Sequence, residues 1–477
     1  MFKNNSFIKF LFFLTLVLLF LPAFAFPLAG RAYRVFFIPL LCFWGIYILF
    51  YFKNFARQIC YLYKKTPFKY LIYFIAYLFL SSIFICSFNY RAGINAFVYI
   101  IQLSILYILP CYLLSAGIIS TQLPIKKFLK IYFVALFSIF VFGLFEFIFG
   151  KILHIEPVNI IQQFLANERY FLGDFREMYA HRLCSVFAEP GWLGGFLFLN
   201  FPIIYKCCLS KYKIFDNKLY NFIIKKTLIV LAWLNLLLTL SPIWLIFCTL
   251  ETIFIFKNKI IKFIFSKKII VYLSILFVFS VLIGAFILSS DTSVKIAQIV
   301  RIIDTLTSMI SFENFLIVEP SLGSRIVSYI TSLHIFKEHF LIGIGLNNSP
   351  YYAAEIISKY SIPMTTENFL HYQQALKTGK MSINGSALYD LLAQTGLIGT
   401  TLYYIFIFKT KNFINKIGKN FQPSIIKDFS IGLSLSMFLY PLMTLYDTLI
   451  TVPYNWFLMG LAVSLCVYYH KMKSGGY

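Results

Sequence analysis

Residues 128–149 of the chain read FLKIYFVALFSIFVFGLFEFIF, an almost unbroken apolar run. A helix needs about 20 mostly apolar residues to cross a bilayer, and this run is long enough. Lys126 and Lys127 stand directly before it, whereas Glu146 lies near its far end. The run therefore predicts a membrane-spanning helix with one lysine-rich end and an acidic group near the opposite end.

The whole chain has this character, because 60% of its 477 residues are hydrophobic and only 13% are charged. Soluble domains are about 45–50% apolar and about 25% charged. We therefore exclude a water-soluble globular protein and predict an all-α, polytopic membrane protein with about 12 transmembrane helices. The predicted spans are 8–26, 35–52, 70–88, 94–119, 128–149, 192–208, 227–240, 243–256, 269–289, 387–408, 429–446 and 451–469.

These spans divide the chain into three parts. Residues 1–289 hold helices 1–9 and an outer loop at 150–191, residues 290–386 form a large, partly helical periplasmic loop, and residues 387–477 hold helices 10–12. The first run resembles a signal peptide, with Ala23-Phe24-Ala25 as a cleavage site. We interpret it as an uncleaved first span, with cleavage as the alternative.

The net charge of +24 is a topology signal. Segments on one side of the predicted spans carry 28 of the 42 Lys and Arg residues but only two of the 18 acids, Asp216 and Asp428. Lysine and arginine accumulate in cytoplasmic loops. We therefore expect both termini in the cytoplasm, the lipid bilayer as a partner, and no nucleic-acid binding. Nine cysteines without a CxxC pair argue against a disulfide scaffold or a zinc site.

Arginine is distributed differently from lysine, since eight of nine arginines fall in outer segments. Arginine binds phosphate or carboxylate through a planar, bidentate fork. We predict an outer-face site for a phosphate-bearing, membrane-held substrate; the alternative is ordinary salt bridges with the outer acids. The outer arginines are Arg31, Arg34, Arg91, Arg169, Arg176, Arg182, Arg301 and Arg325.

The second long loop contains a helical pattern from Gly323 to Phe340. Arg325, Ser332 and His339 fall within roughly a 60° stripe of this helix. Arg325 and His339 are about 21 Å apart along its axis, so they cannot bind one phosphate together. The alternative for His339 is a packed or interfacial side chain.

Gly343-Ile344-Gly345 follows this helix, with Asn347 two residues later. The third glycine and the preceding strand of a dinucleotide-binding fingerprint are missing. We predict a tight turn at this position.

Residues 384–399 read NGSALYDLLAQTGLIG. Together with the Arg325 helix and the Gly343 turn, this stretch resembles the core of the O-antigen polymerase and O-antigen ligase superfamily. The pattern Arg182-x-x-Ser185-x-Phe187-x-Glu189-Pro190 is similar to one in oligosaccharide-repeat polymerases. The resemblance covers about half of the chain, from about residue 180 to 400. Ligases carry a His-Asn pair where this sequence has Gly385-Ser386, which favours a polymerase.

The resemblance implies a multi-pass protein of the bacterial inner membrane. Its substrates would be undecaprenyl-pyrophosphate-linked glycans, its protein partner a chain-length regulator, and it would need no cofactor. Glu189 would act as general base, with Arg325 and Arg182 stabilising the departing pyrophosphate. Substrate-binding residues would be Arg169, Arg176, Ser332, His339 and Asn347. We predict no metal, because the outer loops contain no D-x-D pair.

Alternatives stay open for the activity and for the base. A ligase that transfers glycan to lipid A core uses the same donor chemistry, and a lipid-linked oligosaccharide flippase is a candidate from another class. Glu189 beside Pro190 is equally explained as an acid at a helix start. Glu146 and Asp447 are other acids that could face a polar cavity.

Overall fold

A computed structural model describes most of the chain. The described residues are 14, 21, 25–28, 31–34, 42, 45, 60–108, 125–165, 183–187, 189–239, 241–264, 320–381, 386–445 and 453–473. The predicted spans 35–52 and 269–289, and the site residues Arg169, Arg176 and Arg182, lie largely or wholly outside these residues.

Helices make up nearly all of the described part. Their bounds are α1 Phe68–Phe88, α2 Tyr90–Leu103, α3 Ile125–Phe145, α4 Glu156–Leu165, α5 Pro190–Cys208, α6 Lys218–Leu238, α7 Pro242–Ile264, α8 Pro320–Glu338, α9 Ser349–Lys359, α10 Thr366–Thr378, α11 Ala387–Asn420, α12 Ile425–Thr444 and α13 Pro453–Lys473. Two π-helical segments, Ser104–Ile108 and Glu146–Ile152, directly continue α2 and α3.

Five helices in the described part are long and apolar enough to cross a membrane, which is compatible with a membrane-embedded helical protein. They are Phe68–Phe88, Ile125–Ile152, Lys218–Leu238, Ala387–Asn420 and Ile425–Thr444. Many large apolar side chains on these helices are exposed, including Leu80, Val141 and Val230. Such a surface suits a hydrocarbon environment better than water.

The helices often extend beyond the apolar runs that predicted them. α6 begins at Lys218, nine residues before the predicted span, and α11 continues to Asn420, twelve residues past it. Hydropathy detects only the apolar part of a helix, whereas backbone hydrogen bonding continues through lysine-bearing turns. α6 and α11 therefore include lysine-bearing turns outside the predicted spans 227–240 and 387–408.

A short antiparallel hairpin was not predicted. β1, Ala25–Leu28, pairs with β2, Arg31–Arg34, so that Leu28 lies opposite Arg31. The last two residues of the predicted span 8–26 belong to β1. Two arginines of the outer set therefore lie on one strand.

Opposed side chains show that α1 and α11 run antiparallel. The Tyr77 hydroxyl donates to the carbonyl of Thr395 at 2.8 Å, the rings of Phe74 and Tyr403 lie 5.4 Å apart, and Lys409 lies over the Tyr70 ring. The start of α1 therefore lies beside the later part of α11, and the later part of α1 lies towards the start of α11.

One of these ends is lysine-rich. Lys126 and Lys130 both bind Asp216 there, and Lys225 donates to the carbonyl of Tyr212 at 3.0 Å. The opposite end carries α8–α10, which lie within the segment 290–386. We refer to the two as the lysine-rich end and the α8 end.

Candidate functional site

The turn at residues 183–187 is held in place by Glu146. This carboxyl is fully buried, and its Oε2 accepts the backbone N–H of Ser185 at 2.7 Å. Its Oε1 lies 3.9 Å from Lys151 Nζ. Ser185 has a φ of 52° and donates its hydroxyl to the carbonyl of Ile139. A buried carboxylate is costly unless it is hydrogen-bonded, so Glu146 organises this turn.

Glu189 lies at the start of α5, four residues after Ser185. It is the N-cap residue, with extended backbone angles of −137° and 150°, and Pro190 occupies the first helical position. Its side chain makes no capping hydrogen bond to the helix. A carboxylate here is favoured by the helix dipole whether or not it reacts. Its role as general base stays a prediction.

The Arg325 helix packs against the start of α11. Buried Ser332 donates its hydroxyl to Asp390 Oδ1 at 3.4 Å. The rings of Tyr329 and Tyr389 are stacked with their centroids 4.8 Å apart. Arg325 is half-buried one turn before Tyr329. A cation, a hydroxyl and a carboxyl thus lie along one helix–helix junction.

Two histidines of the α8 region contact aromatic rings of α9 and of the turn that ends it. The His334 ring stacks on Tyr360 with centroids 3.9 Å apart, and the His339 ring meets Tyr352 edge-on at 5.8 Å. His339 follows the end of α8 and is exposed. An exposed ring with one edge-on aromatic contact is compatible with an interfacial side chain, part of the alternative for His339, and its substrate-binding role stays a prediction.

An ion pair fixes the end of α8 to the end of α9. Lys359 Nζ lies 2.6 Å from Glu338 Oε1, and the Tyr360 hydroxyl donates to the same oxygen at 2.8 Å. These two hydrogen bonds lower the pKa of Glu338, with the one from Lys359 contributing most. Glu338 therefore remains ionised over a wider pH range than a free carboxyl.

Asn347 and Asn348 join the loop to α2 and α11. The N–H of Asn347 donates to Gln394 Oε1 at 2.7 Å, and its carbonyl accepts from Asn95 Nδ2 at 3.2 Å. The buried Asn348 amide donates to the carbonyls of Ala92 and Ile344, at 2.9 and 2.8 Å. The side chain of Asn348 therefore holds this loop in place, whereas the hydrogen bonds of the predicted residue Asn347 come from its backbone.

The predicted tight turn at Gly343 and Gly345 is confirmed, since both have positive φ, 77° and 90°. It forms a backbone clasp with a break in α11 at Gly396, whose φ is 63° and ψ −170°. We define the clasp as residues 340–345 paired with residues 393–398. The break in α11 was not predicted, because the predicted span 387–408 runs through Gly396 without interruption.

Four backbone hydrogen bonds make up the clasp. Ile344 and Gly345 donate to the carbonyls of Ala393 and Gln394, at 3.1 and 2.9 Å. In the other direction, the N–H groups of residues 397 and 398 donate to the carbonyls of residues 340 and 341. A helix break frees backbone groups that must be satisfied inside a membrane, and the clasp satisfies them.

Sequence reasoning missed Asp390 and Asn348. Asp390 was visible as an acid at the start of an apolar run, but nothing local connects it to Ser332, 58 positions earlier. Nothing in the local sequence distinguishes Asn348 from its neighbour Asn347. Within the described residues, no group of three His, Cys, Asp or Glu side chains could hold a metal ion.

Comparison with protein-family profiles finds no match, and no curated protein matches the chain.

Proposed function

We propose that the protein is a membrane glycosyltransferase that polymerises lipid-linked oligosaccharide repeat units at the outer face of a bacterial inner membrane. The observation that carries the proposal is the junction of Arg325, Ser332 and Asp390 between α8 and α11. The resemblance of the two motif segments to O-antigen polymerases supports it. Several membrane-length helices are compatible with the required location.

The proposed reaction moves a glycan from one lipid to another. A hydroxyl of the lipid-linked repeat unit attacks the anomeric carbon of the growing glycan, and the bond from that carbon to the pyrophosphate oxygen breaks. Undecaprenyl pyrophosphate leaves with the bond electrons, and a carboxylate takes the hydroxyl proton. Arg325 binds the negative charge that develops on the departing pyrophosphate.

Two carboxylates are candidates for the base. Glu189 is the one that the motif resemblance implies, whereas Asp390 accepts a hydrogen bond from Ser332, which lies on the same helix as Arg325. Glu189→Gln and Asp390→Asn, each scored for glycan chain length at equal membrane abundance, distinguish them. The base variant loses polymer, and the other retains the normal chain-length distribution.

A local feature favours polymerase over ligase. Ser386 stands in the position where a ligase resemblance calls for the His-Asn pair, and its hydroxyl accepts the N–H of Tyr389 as the N-cap of α11. A helix-capping serine cannot accept or donate protons as a histidine does at neutral pH.

Deleting the gene and separating the surface polysaccharide on a gel tests the activity class. A single capped repeat supports a polymerase. Free core with accumulating lipid-linked polymer means a ligase, and the absence of outer-face intermediates means a flippase.

Arg325→Ala tests the site itself. We expect polymer formation to fall by roughly 100-fold or more, as when one charge-stabilising donor is removed from an active site. Lys337→Ala is the matched control, because Lys337 is an exposed cation on the same helix and should leave polymer unchanged. Full-length polymer from Arg325→Ala, at normal membrane abundance, would exclude Arg325 from the mechanism.

A further inference from the structure

A second site lies at the lysine-rich end, where α5 and α12 pack antiparallel. Ser436 donates its hydroxyl to the carbonyl of Leu199 at 2.7 Å. One turn towards the lysine-rich end, Gly432 packs so closely on Ile203 that an added Cβ would lie 2.7 Å from its Cα. The next turn brings Asp428 of α12 opposite the last turn of α5, where Lys206 lies.

A cavity of about 370 Å³ lies at this position. Lys206 and Asp428 lie on its wall together with Tyr205, Leu209, Ile255 and Phe256. This volume is within the range of about 300–1,000 Å³ that is usual for small-molecule sites.

The two charged side chains that line the cavity, Lys206 and Asp428, do not form an ion pair with each other. Within the part of the chain that the structure describes, neither Lys206 nor Asp428 has an ion-pair partner within 4 Å. At the same end of the bundle, Lys126 and Lys130 both reach Asp216. Lys206 and Asp428 thus present a positive and a negative group to the same space.

The remaining wall has two polar residues, Tyr205 and Ser210, and both already have hydrogen-bond partners. The Ser210 hydroxyl accepts the N–H of Tyr212 at 3.0 Å, and its carbonyl accepts a hydrogen bond from Lys225 Nζ. The Tyr205 hydroxyl already accepts the Trp233 N–H at 2.6 Å and is bonded to Thr252 at 3.0 Å. Leu209, Ile255 and Phe256 offer apolar surface. A ligand that fits must carry both charges close together and have an apolar part.

We propose that this cavity binds the headgroup of a zwitterionic phospholipid with a primary ammonium, that is, a phosphatidylethanolamine. Lys206 Nζ contacts the phosphate and the Asp428 carboxylate accepts hydrogen bonds from the ammonium. The apolar wall covers the first carbons of the acyl chains. α12 is one of the membrane-length helices and starts beside the cavity, at the depth where headgroups lie if it spans a bilayer.

Other lipids satisfy only part of the site. An anionic phosphatidylglycerol has no cation for Asp428, and its phosphate is repelled by that carboxylate. A choline headgroup has a positive charge but no N–H donor. The site is at the opposite end of the bundle from the Arg325 junction, so the inference does not depend on the proposed glycosyl transfer.

The test uses the purified full chain in detergent and short-chain lipids. Thermal unfolding is followed while dihexanoyl phosphatidylethanolamine, phosphatidylcholine or phosphatidylglycerol is added. We expect the ethanolamine lipid to raise the midpoint most, since a ligand that binds only the folded state stabilises it. Lys206→Gln and Asp428→Asn should each raise the half-saturating concentration roughly tenfold. Lys213→Gln, an exposed lysine of the same end, is the matched control and should leave it unchanged.

Three outcomes overturn the proposal. An equal or larger shift with phosphatidylglycerol means a site for anions, and no shift with any lipid means no headgroup site. The third is a direct Lys206–Asp428 ion pair that closes the cavity. It would appear as strong coupling between the two substitutions in a double-mutant cycle without lipid, with no effect of the ethanolamine lipid.

Discussion

Two carboxylates at opposite ends of the helix bundle, Glu146 and Asp216, are held in opposite ways. At the α8 end, the buried side chains of Glu146 and Asn348 bind backbone groups of other segments. At the lysine-rich end, Asp216 is 73% exposed and binds lysines whose side chains are also in solvent. Water replaces a lost partner in the second case and cannot do so in the first. We therefore expect the contacts of Glu146 and Asn348 to be sensitive to substitution and the Asp216 ion pairs to tolerate it. Buried Lys225, which donates to the carbonyl of Tyr212, is the exception at the lysine-rich end.

This difference fits the separate tasks that we assign to the ends. Reactive groups must be held to within a fraction of an ångström by their surroundings. The clasp joins the residues that follow α8 to α11 and so supplies such support close to the Arg325 junction. Lysines that orient helices across a membrane need only be on the correct side.

Gly396→Ala should destabilise the protein more than any other substitution considered for the α8 end. An added Cβ would lie 2.3 Å from the carbonyl oxygen of Leu341, and the residue has a φ of 63°. Because the obstacle is backbone that is itself hydrogen-bonded in the clasp, we expect destabilisation of about 4 kcal/mol or more. Thermal unfolding in detergent and the yield of folded protein measure it.

Gly379→Ala is the matched control for this substitution. Gly379 also has a positive φ, 72°, but a Cβ there would meet no atom within 4 Å. Only the conformational cost remains, about 1 kcal/mol. The backbone conformations also differ, since ψ is 8° at Gly379 and −170° at Gly396, in a region that is essentially limited to glycine. Equal effects of the two substitutions would mean that neither this conformation nor the clasp adds to the cost.

The clasp also shows where sequence reasoning reaches its limit. The turn at Gly343 could be predicted, because paired glycines after a helix have a local meaning. Its partner at Gly396 could not, because backbone pairing between segments 53 positions apart leaves no trace in local composition. Membrane-length helices could be predicted from apolar runs, but their lysine-bearing ends were missed since charged turns remain helical.

In the candidate site, too, residues on one helix could be related from the sequence, whereas contacts between helices could not. Arg325 and Ser332 share one helix, so their common face could be predicted from periodicity alone. Asp390 could not be assigned to them, because only packing of α8 on α11 brings it to Ser332. The proposed roles of Glu189, Arg182, Arg169 and Arg176 still rest on the sequence.

Glu146→Ala should have the next largest effect. It removes the acceptor of the Ser185 N–H inside the protein, and an orphaned buried donor costs about 1–3 kcal/mol. Glu146→Gln keeps an oxygen that can accept this hydrogen bond, so it should cost clearly less. Thermal unfolding of both variants gives the comparison. If Gln were as damaging as Ala, the charge near Lys151 would matter more than the Ser185 contact.

Asp216→Asn should have the smallest effect, and its pH dependence has a definite sign. Hydrogen bonds from Lys130 and Lys126 lower the pKa of Asp216 below its ordinary 3.8. A lowered folded-state pKa stabilises the protein above the unfolded pKa, and this contribution disappears as the pH falls through the folded value. The wild type should therefore lose its small advantage over Asp216→Asn only below about pH 4. High salt should remove it at neutral pH as well, because exposed charges are screened. A difference that persists in 1 M salt would place this ion pair with the buried contacts of the α8 end, and the contrast between the two ends would fail.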